Sequence, residues 1–135
     1  MRQRARLRVG PAEFTATDRP TAGPPTPSPT CTIVAKYFRG LGDPTRLRIL
    51  QLLDADGELS VGELIQRLEL PQSKVSNHLA CLRWCGFAES RREYRTIHYR
   101  IADERVRHII RLAQELLQDN AEHVAACRTI DAGRC

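Results

Sequence analysis

Three interruptions, Gly42-Asp43-Pro44, Asp54-Ala55-Asp56-Gly57 and Leu70-Pro71-Gln72, cut the middle of this chain into a series of short helices. Before the first, Ile33, Val34, Tyr37, Phe38 and Leu41 share one helical face, so a helix is predicted from near Cys31. Asp43 then serves as an N-cap and Pro44 as the first helical residue of a second helix, about Pro44 to Asp54, carrying Leu47, Leu50 and Leu53. Ser60 and Glu63 have the spacing of a capping box at the head of a short third helix with Leu64, Ile65 and Leu68. The fourth helix is predicted from about Gln72 to Cys85. Two helices joined by a tight turn make a helix-turn-helix.

Past Gly86 the period changes. Ile97, Tyr99 and Ile101 alternate with His98 and Arg100, and a run beginning at Phe87 precedes them, which predicts a β-hairpin. Its tip, Arg91-Arg92-Glu93-Tyr94-Arg95, is too charged for a core and suits phosphate contact. A last helix, about Asp103 to Glu122, gathers Val106, Ile109, Ile110, Ala113, Leu116 and Leu117 into one stripe. The fold class is therefore mainly α with a small β-hairpin, a winged helix-turn-helix in the order α-α-α-α-β-β-α over residues 31–123. Residues 1–30, with six of the eight prolines and Arg2, Arg4, Arg6 and Arg8, read as a disordered arm, and residues 124–135 as a C-terminal tail. The stripe of the last helix, together with Val34, Tyr37 and Phe38, is more apolar surface than so small a domain can bury alone, so a homodimer is predicted.

Composition narrows the partner. Lys and Arg outnumber Asp and Glu by 21 to 16, which favours a polyanion and above all nucleic acid. The N-terminal arginines are not followed by the apolar stretch of an export signal, and no window is long and apolar enough to span a bilayer, so no membrane association is expected. Five cysteines is an odd number for a disulfide framework and points to metal or redox chemistry in a reducing cytoplasm. No nucleophile, base and oxyanion arrangement can be assembled, so an enzyme is not expected.

On the fourth helix, Val75, Leu79, Leu82 and Gly86 lie within about 60° of arc at 100° per residue, which defines the buried side. The opposite side carries Ser73, Ser76, Asn77, Ala80 and Arg83, short donors that let a helix approach the major groove of double-stranded operator DNA. With the flanking Gln72, Lys74 and His78, and with Arg91, Arg92 and Arg95 of the hairpin, these are the candidate DNA-binding residues. Trp84 also faces away from the core, without an evident role.

Three motifs in order, Leu41-Gly42-Asp43-Pro44-Thr45-Arg46-Leu47-Arg48-Ile49-Leu50, Ser73-Lys74-Val75-Ser76-Asn77-His78-Leu79 and Tyr99-Arg100, resemble the ArsR/SmtB family of dimeric winged-helix metal sensors. The resemblance implies a repressor that leaves its operator when an inducer binds. Two metal sites known in that family lack their residues here. The cysteine pair of the first helix of the helix-turn-helix would fall near Ser60-Val61-Gly62, and the histidines of the last-helix zinc site would fall at Arg105 and Leu116. What remains is Cys81-Leu82-Arg83-Trp84-Cys85, which resembles the family's cadmium/lead-sensing type, in which a third cysteine comes from the C-terminal tail. Cys127 stands in that position.

Helical spacing supports chelation independently, since residues four apart have Cβ atoms about 5–6 Å apart. Soft thiolates select cadmium, lead, mercury or cuprous copper over magnesium, calcium or manganese, and the resemblance implies cadmium or lead as the inducer, with mercury a further candidate. A mercury- or arsenite-responsive repressor and a thiol-redox regulator pairing one of these cysteines with Cys127 or Cys31 remain the alternatives, as does the subunit that supplies the third ligand. The family usually carries glycine where Tyr94 stands, so a left-handed turn at the wing tip would be strained here.

Overall fold

A computed structural model of the chain describes residues 26–131. Most of the predicted N-terminal arm, its four leading arginines and Cys135 lie outside the described residues.

Helix α1 (Pro29–Leu41) begins two residues earlier than the apolar periodicity suggests, because Ser28 caps it, accepting the Cys31 amide at 3.1 Å, and Pro29 occupies the first turn. Helix α2 (Pro44–Asp56) is capped by Asp43, whose carboxylate accepts the Arg46 amide at 2.9 Å. Helix α2 runs two residues past the expected Asp54, into the segment read as a turn, and strand β1 (Glu58–Ser60) follows where no strand was expected. Helix α3 (Val61–Leu68) carries the predicted capping box, with Ser60 Oγ accepting the Glu63 amide and Glu63 accepting the Ser60 amide. Glu69, left-handed at φ 53°, closes α3 and turns the chain into helix α4 (Gln72–Trp84). Strands β2 (Ala88–Glu93) and β3 (Thr96–Ile101) form the hairpin, and Asp103 caps helix α5 (Glu104–Leu117).

The predicted last helix is shorter than expected. Its apolar stripe ends at Leu117, and the segment that follows offers no face to bury and carries Asp119 and Asn120, whose side chains compete with the helical backbone. Two short helices, α6 (Ala121–Ala125) and α7 (Arg128–Asp131), complete the described chain.

The hairpin and β1 make one antiparallel sheet in the order β1-β3-β2, with Leu59 opposite Tyr99 and Arg91 opposite His98. One side of this sheet packs on a core in which Ile49, Leu50, Leu53, Leu64, Val75, Leu79, Leu82 and Phe87 are fully buried. Val75, Leu79 and Leu82 are the face of α4 that the angular reading assigned to the core. The winged helix-turn-helix expected from sequence is thus the observed fold, with a third strand added.

The end of α4 is fixed by its backbone. Gly86, at φ 79°, lets the Phe87 amide reach the Leu82 carbonyl at 2.9 Å and its own amide reach Arg83 at 3.1 Å, the double bond of a Schellman turn. The end of α1 is held from outside. Arg46 Nε donates to the Gly40 carbonyl at 2.6 Å and Nη2 to the Arg39 carbonyl at 3.0 Å, satisfying acceptors that a helix terminus leaves unpaired.

A second apolar surface is left uncovered. Ile33, Val34 and Phe38 of α1 and Leu112, Leu116 and Leu117 of α5 stay exposed, Phe38 at 56 % and Leu116 at 71 %. Tyr37, Ile109 and Ile110 are half-buried against the core. Val106, expected at the dimer face, is only 3 % exposed and belongs to the protomer's own core. Phe38, Leu47, Ile109, Ile110, Ala113 and Leu117 line an apolar groove of about 360 Å3 between α1, α2 and α5.

Candidate DNA-reading face and thiol pair

Packing Val75, Leu79 and Leu82 inward leaves Gln72, Ser73, Lys74, Ser76, Asn77, Ala80 and Arg83 exposed along the outer side of α4. Apart from the small Ala80, these are short or flexible donors on a helix whose far side is anchored, which is what approach to a groove floor needs. His78, for which a structural and a DNA-facing role were both open, is half-buried, with Nδ1 3.8 Å from Asp43 Oδ1, so it faces the head of α2.

The hairpin stands beside this face. Its register pairs Glu93 with Thr96, so Tyr94 and Arg95 form a two-residue loop, and Tyr94 takes the left-handed conformation at φ 55° while its ring is 94 % exposed. The strain expected from a tyrosine at that position is therefore present. Between hairpin and helix runs an open groove of about 600 Å3 whose lining includes Ser60, Gln72, Ser76, Arg95 and Thr96. Its hydroxyls, amide and guanidinium are the groups that bind a phosphodiester backbone.

The three hairpin arginines differ in their engagements. Arg92 Nε donates to the Tyr94 carbonyl at 3.2 Å, and Arg95 points into the groove. Arg91 is taken up by two carboxylates, Nε donating to Glu58 at 2.7 Å and Nη1 to Glu93 at 3.0 Å. The bond from Arg91 holds the Glu58 carboxyl below the usual carboxylate range.

Cys81, in the last turn of α4, and Cys85, its C-cap residue, are both half-buried and free, and each thiol is near enough to bear on the other's proton. The last turn of α1 lies against them. A Cβ placed on Gly40 would meet Cys85 Sγ at 3.6 Å and the Phe87 ring at 3.0 Å, so any larger residue there would press on the Phe87 ring. Tyr37, stacked on Phe87 with ring centroids 4.3 Å apart, is near enough to Cys85 to feel its charge. Burial pushes the Cys85 thiol up, and the neighbouring Cys81 pushes it further, while Arg46 and Lys36 act in the opposite direction. The negative end of the helix dipole also disfavours a thiolate at Cys85, but desolvation leads.

The structure does not bring the third predicted ligand to this pair. Cys127 is half-buried at the junction of α6 and α7, and among the described residues no three His, Cys, Asp or Glu side chains are grouped to hold a metal ion. Cys31 is exposed on the first turn of α1. The pair by itself fits a soft cation in donor type and supplies two of the donors such an ion takes.

Sequence reasoning missed the residues around the thiols. Gly40 and Arg46 carry no chemical motif of their own, and their closeness to Cys85 arises only when α1 folds back on α4. Tyr37 was assigned to a dimer face by periodicity alone.

Residues 43–90, from the N-cap of α2 into β2, match the family described as "Bacterial regulatory protein, arsR family". The "Probable mercury resistance operon repressor" of Streptomyces lividans is 38 % identical over 96 residues, covering 71 % of this chain and 76 % of that protein. The chain belongs to the ArsR/SmtB family. The HTH-type transcriptional regulator CmtR of Mycobacterium tuberculosis is 45 % identical over 85 residues, 63 % of this chain and 69 % of its own length. Among solved structures, the homodimeric winged helix-turn-helix DNA-binding domain Mb0332 of Mycobacterium bovis superposes with a TM-score of 0.62 at 30 % identity, covering 74 % of this chain and 94 % of that one. ArsR/SmtB proteins are DNA-binding transcriptional regulators, not enzymes. The segment matching the ArsR family contains the outer face of α4 and both Cys81 and Cys85, but neither Cys31 nor Cys127. No described helix is long and apolar enough to cross a membrane.

Proposed function

We propose that this protein is a dimeric, metal-responsive repressor. In this reading Ser73, Ser76, Asn77 and Arg83 of α4 read an operator, Gln72, Lys74, Arg92 and Arg95 hold its phosphates, and ligation of Cys81 and Cys85 by a soft metal ion releases it. The observation that carries it is the position of the thiol pair, on the same rigid helix as the DNA face and pinned beneath the end of α1. A change at the thiols therefore acts on the orientation of α4 and on the α1 surface at once. Differential DNA affinity between the two arrangements is all that induction requires.

The metal ion would supply a cationic centre that replaces the thiol protons. Cys81 and Cys85 would hold it as thiolates, and Cys127 of either subunit would complete a three-sulfur set by movement of the segment after α5. Cadmium or lead is the inducer favoured by the resemblance of the Cys81–Cys85 segment. Mercury is the alternative, supported by the resistance operon named for the Streptomyces relative. The dimer is supported by the uncovered apolar surface of α1 and α5 and by the homodimeric Mb0332.

Trp84, the only tryptophan, adjoins Cys85 and reports on the pair directly. When cadmium, lead, mercury, zinc and arsenite are titrated separately, cadmium or lead should quench its fluorescence, raise near-ultraviolet thiolate-to-metal absorption, and release a labelled operator in parallel. Cys81→Ser and Cys85→Ser should each remove all three responses while keeping operator binding, because one remaining helical thiol cannot chelate. Cys127→Ser should lower the absorption by one thiolate's share. Wild-type responses in the Cys81 and Cys85 variants would falsify the assignment.

A further inference from the structure

Arg91 starts on β2 and reaches a carboxylate of β1, although the two strands are not neighbours in the sheet. It crosses over β3 at His98, its own cross-strand partner. His98 lies between the same two carboxylates, Nδ1 3.8 Å from Glu58 and Nε2 3.7 Å from Glu93. One face of the sheet thus carries a four-residue ionic clasp that joins all three strands. An arginine bonded this way through two of its nitrogens is oriented along the sheet, and its charge is already matched by carboxylate.

We propose that Arg91 is a positioning residue of the wing rather than a phosphate contact, fixing the angle of the hairpin against β1 so that Arg92 and Arg95 meet the DNA backbone. This rests on the DNA-binding part of the function proposed above and not on the metal response. The charged groups facing His98 are Glu58 from β1, Arg91 and Glu93 from β2, Arg100 on its own strand and Glu63 from α3. Glu58, Glu93 and Arg91 together carry one negative charge in excess, so Arg91 has no unmatched charge to offer a phosphate.

The two roles of Arg91 give opposite signs when Glu58 is neutralised. In the full-length protein, Glu58→Gln loosens the wing, and operator binding by fluorescence anisotropy should weaken on the order of twofold to fivefold with an unchanged salt slope. Adding Arg91→Gln in that background should cost little more, because the tie is already cut. Tighter binding with a steeper salt slope in Glu58→Gln would mean a phosphate contact had been set free, and unchanged binding would mean that the clasp positions nothing. Either result overturns the proposal. Failure of wild-type protein to bind any operator is a different result and refutes the proposed function instead.

Discussion

Leu116 is 71 % exposed on α5 and touches none of the protomer's buried core, so replacing it tests the partner surface without unfolding the subunit. Burying a whole leucine side chain is worth about 1.5–3 kcal/mol, so the exposed share still to be buried is worth about 1–2 kcal/mol per subunit. A two-fold interface contains every residue twice, which makes the loss in Leu116→Glu about 2–4 kcal/mol per dimer. At about 1.4 kcal/mol per decade the dimer dissociation constant should rise from roughly 30-fold to roughly 1,000-fold. Glutamate adds the cost of placing a carboxylate in an apolar contact, so the upper part of that range is expected. Sedimentation velocity over a micromolar series would read the shift, and far-ultraviolet circular dichroism would show the helices intact. A well-folded variant whose dissociation constant stays within about threefold of wild type would refute the use of this surface as the dimer face.

Tyr94→Gly relieves a left-handed residue at a cost of about 1–2 kcal/mol and returns about half of that as unfolded-chain entropy, so thermal melts should show a stabilised protein, the midpoint rising by a few degrees. Asn77→Ala should weaken operator binding by about 1–3 kcal/mol and leave random-sequence binding nearly unchanged; equal losses on both would remove the outer face of α4 from sequence reading. Arg95→Ala should lower the slope of log affinity against log salt by about 0.9 on any sequence, and an unchanged slope would place Arg95 away from phosphate. The Asp103 carboxyl is lowered from 3.8 to about 2 by its side-chain bonds to Arg105 and by the Arg105 amide. Its contribution is therefore present above the unfolded value and is lost as the pH falls from about 4 towards 2; Asp103→Asn should flatten acid denaturation over that interval, and an unaltered acid limb would show the cap to be dispensable.

The sequence made the helices legible because their punctuation is local. The Asp43 cap, the Ser60–Glu63 box and the Leu70-Pro71 break each act within a few residues, and the buried stripe of α4 follows from its period. Strand β1 escaped because three residues with one buried side chain, Leu59, have no period to detect. The early end of α5 escaped because an apolar pattern reports where a helix can pack, not where it stops. The candidate site divides the same way. Cys81 and Cys85 are four residues apart, so their pairing could be read directly. The approach of Gly40, the grip of Arg46 on α1, the turn of His78 towards Asp43 and the reach of Arg91 to Glu58 all join separate elements, and no local spacing encodes them.

The pairing of β1 with β3 has a consequence for how the molecule assembles. Between those two strands the chain runs through α3, α4 and the first half of the hairpin, so the reading helix lies inside a loop that is closed only when Leu59 meets Tyr99. Closing a long loop costs entropy that is recovered only once the segments within it pack. The hairpin and α4 are therefore expected to form and melt together, with amide protons of β3 exchanging at the same rate as those of α4. A hairpin borrowed from a relative to change specificity would need its β1 partner transplanted with it, or the borrowed strands would fray and take the reading helix along.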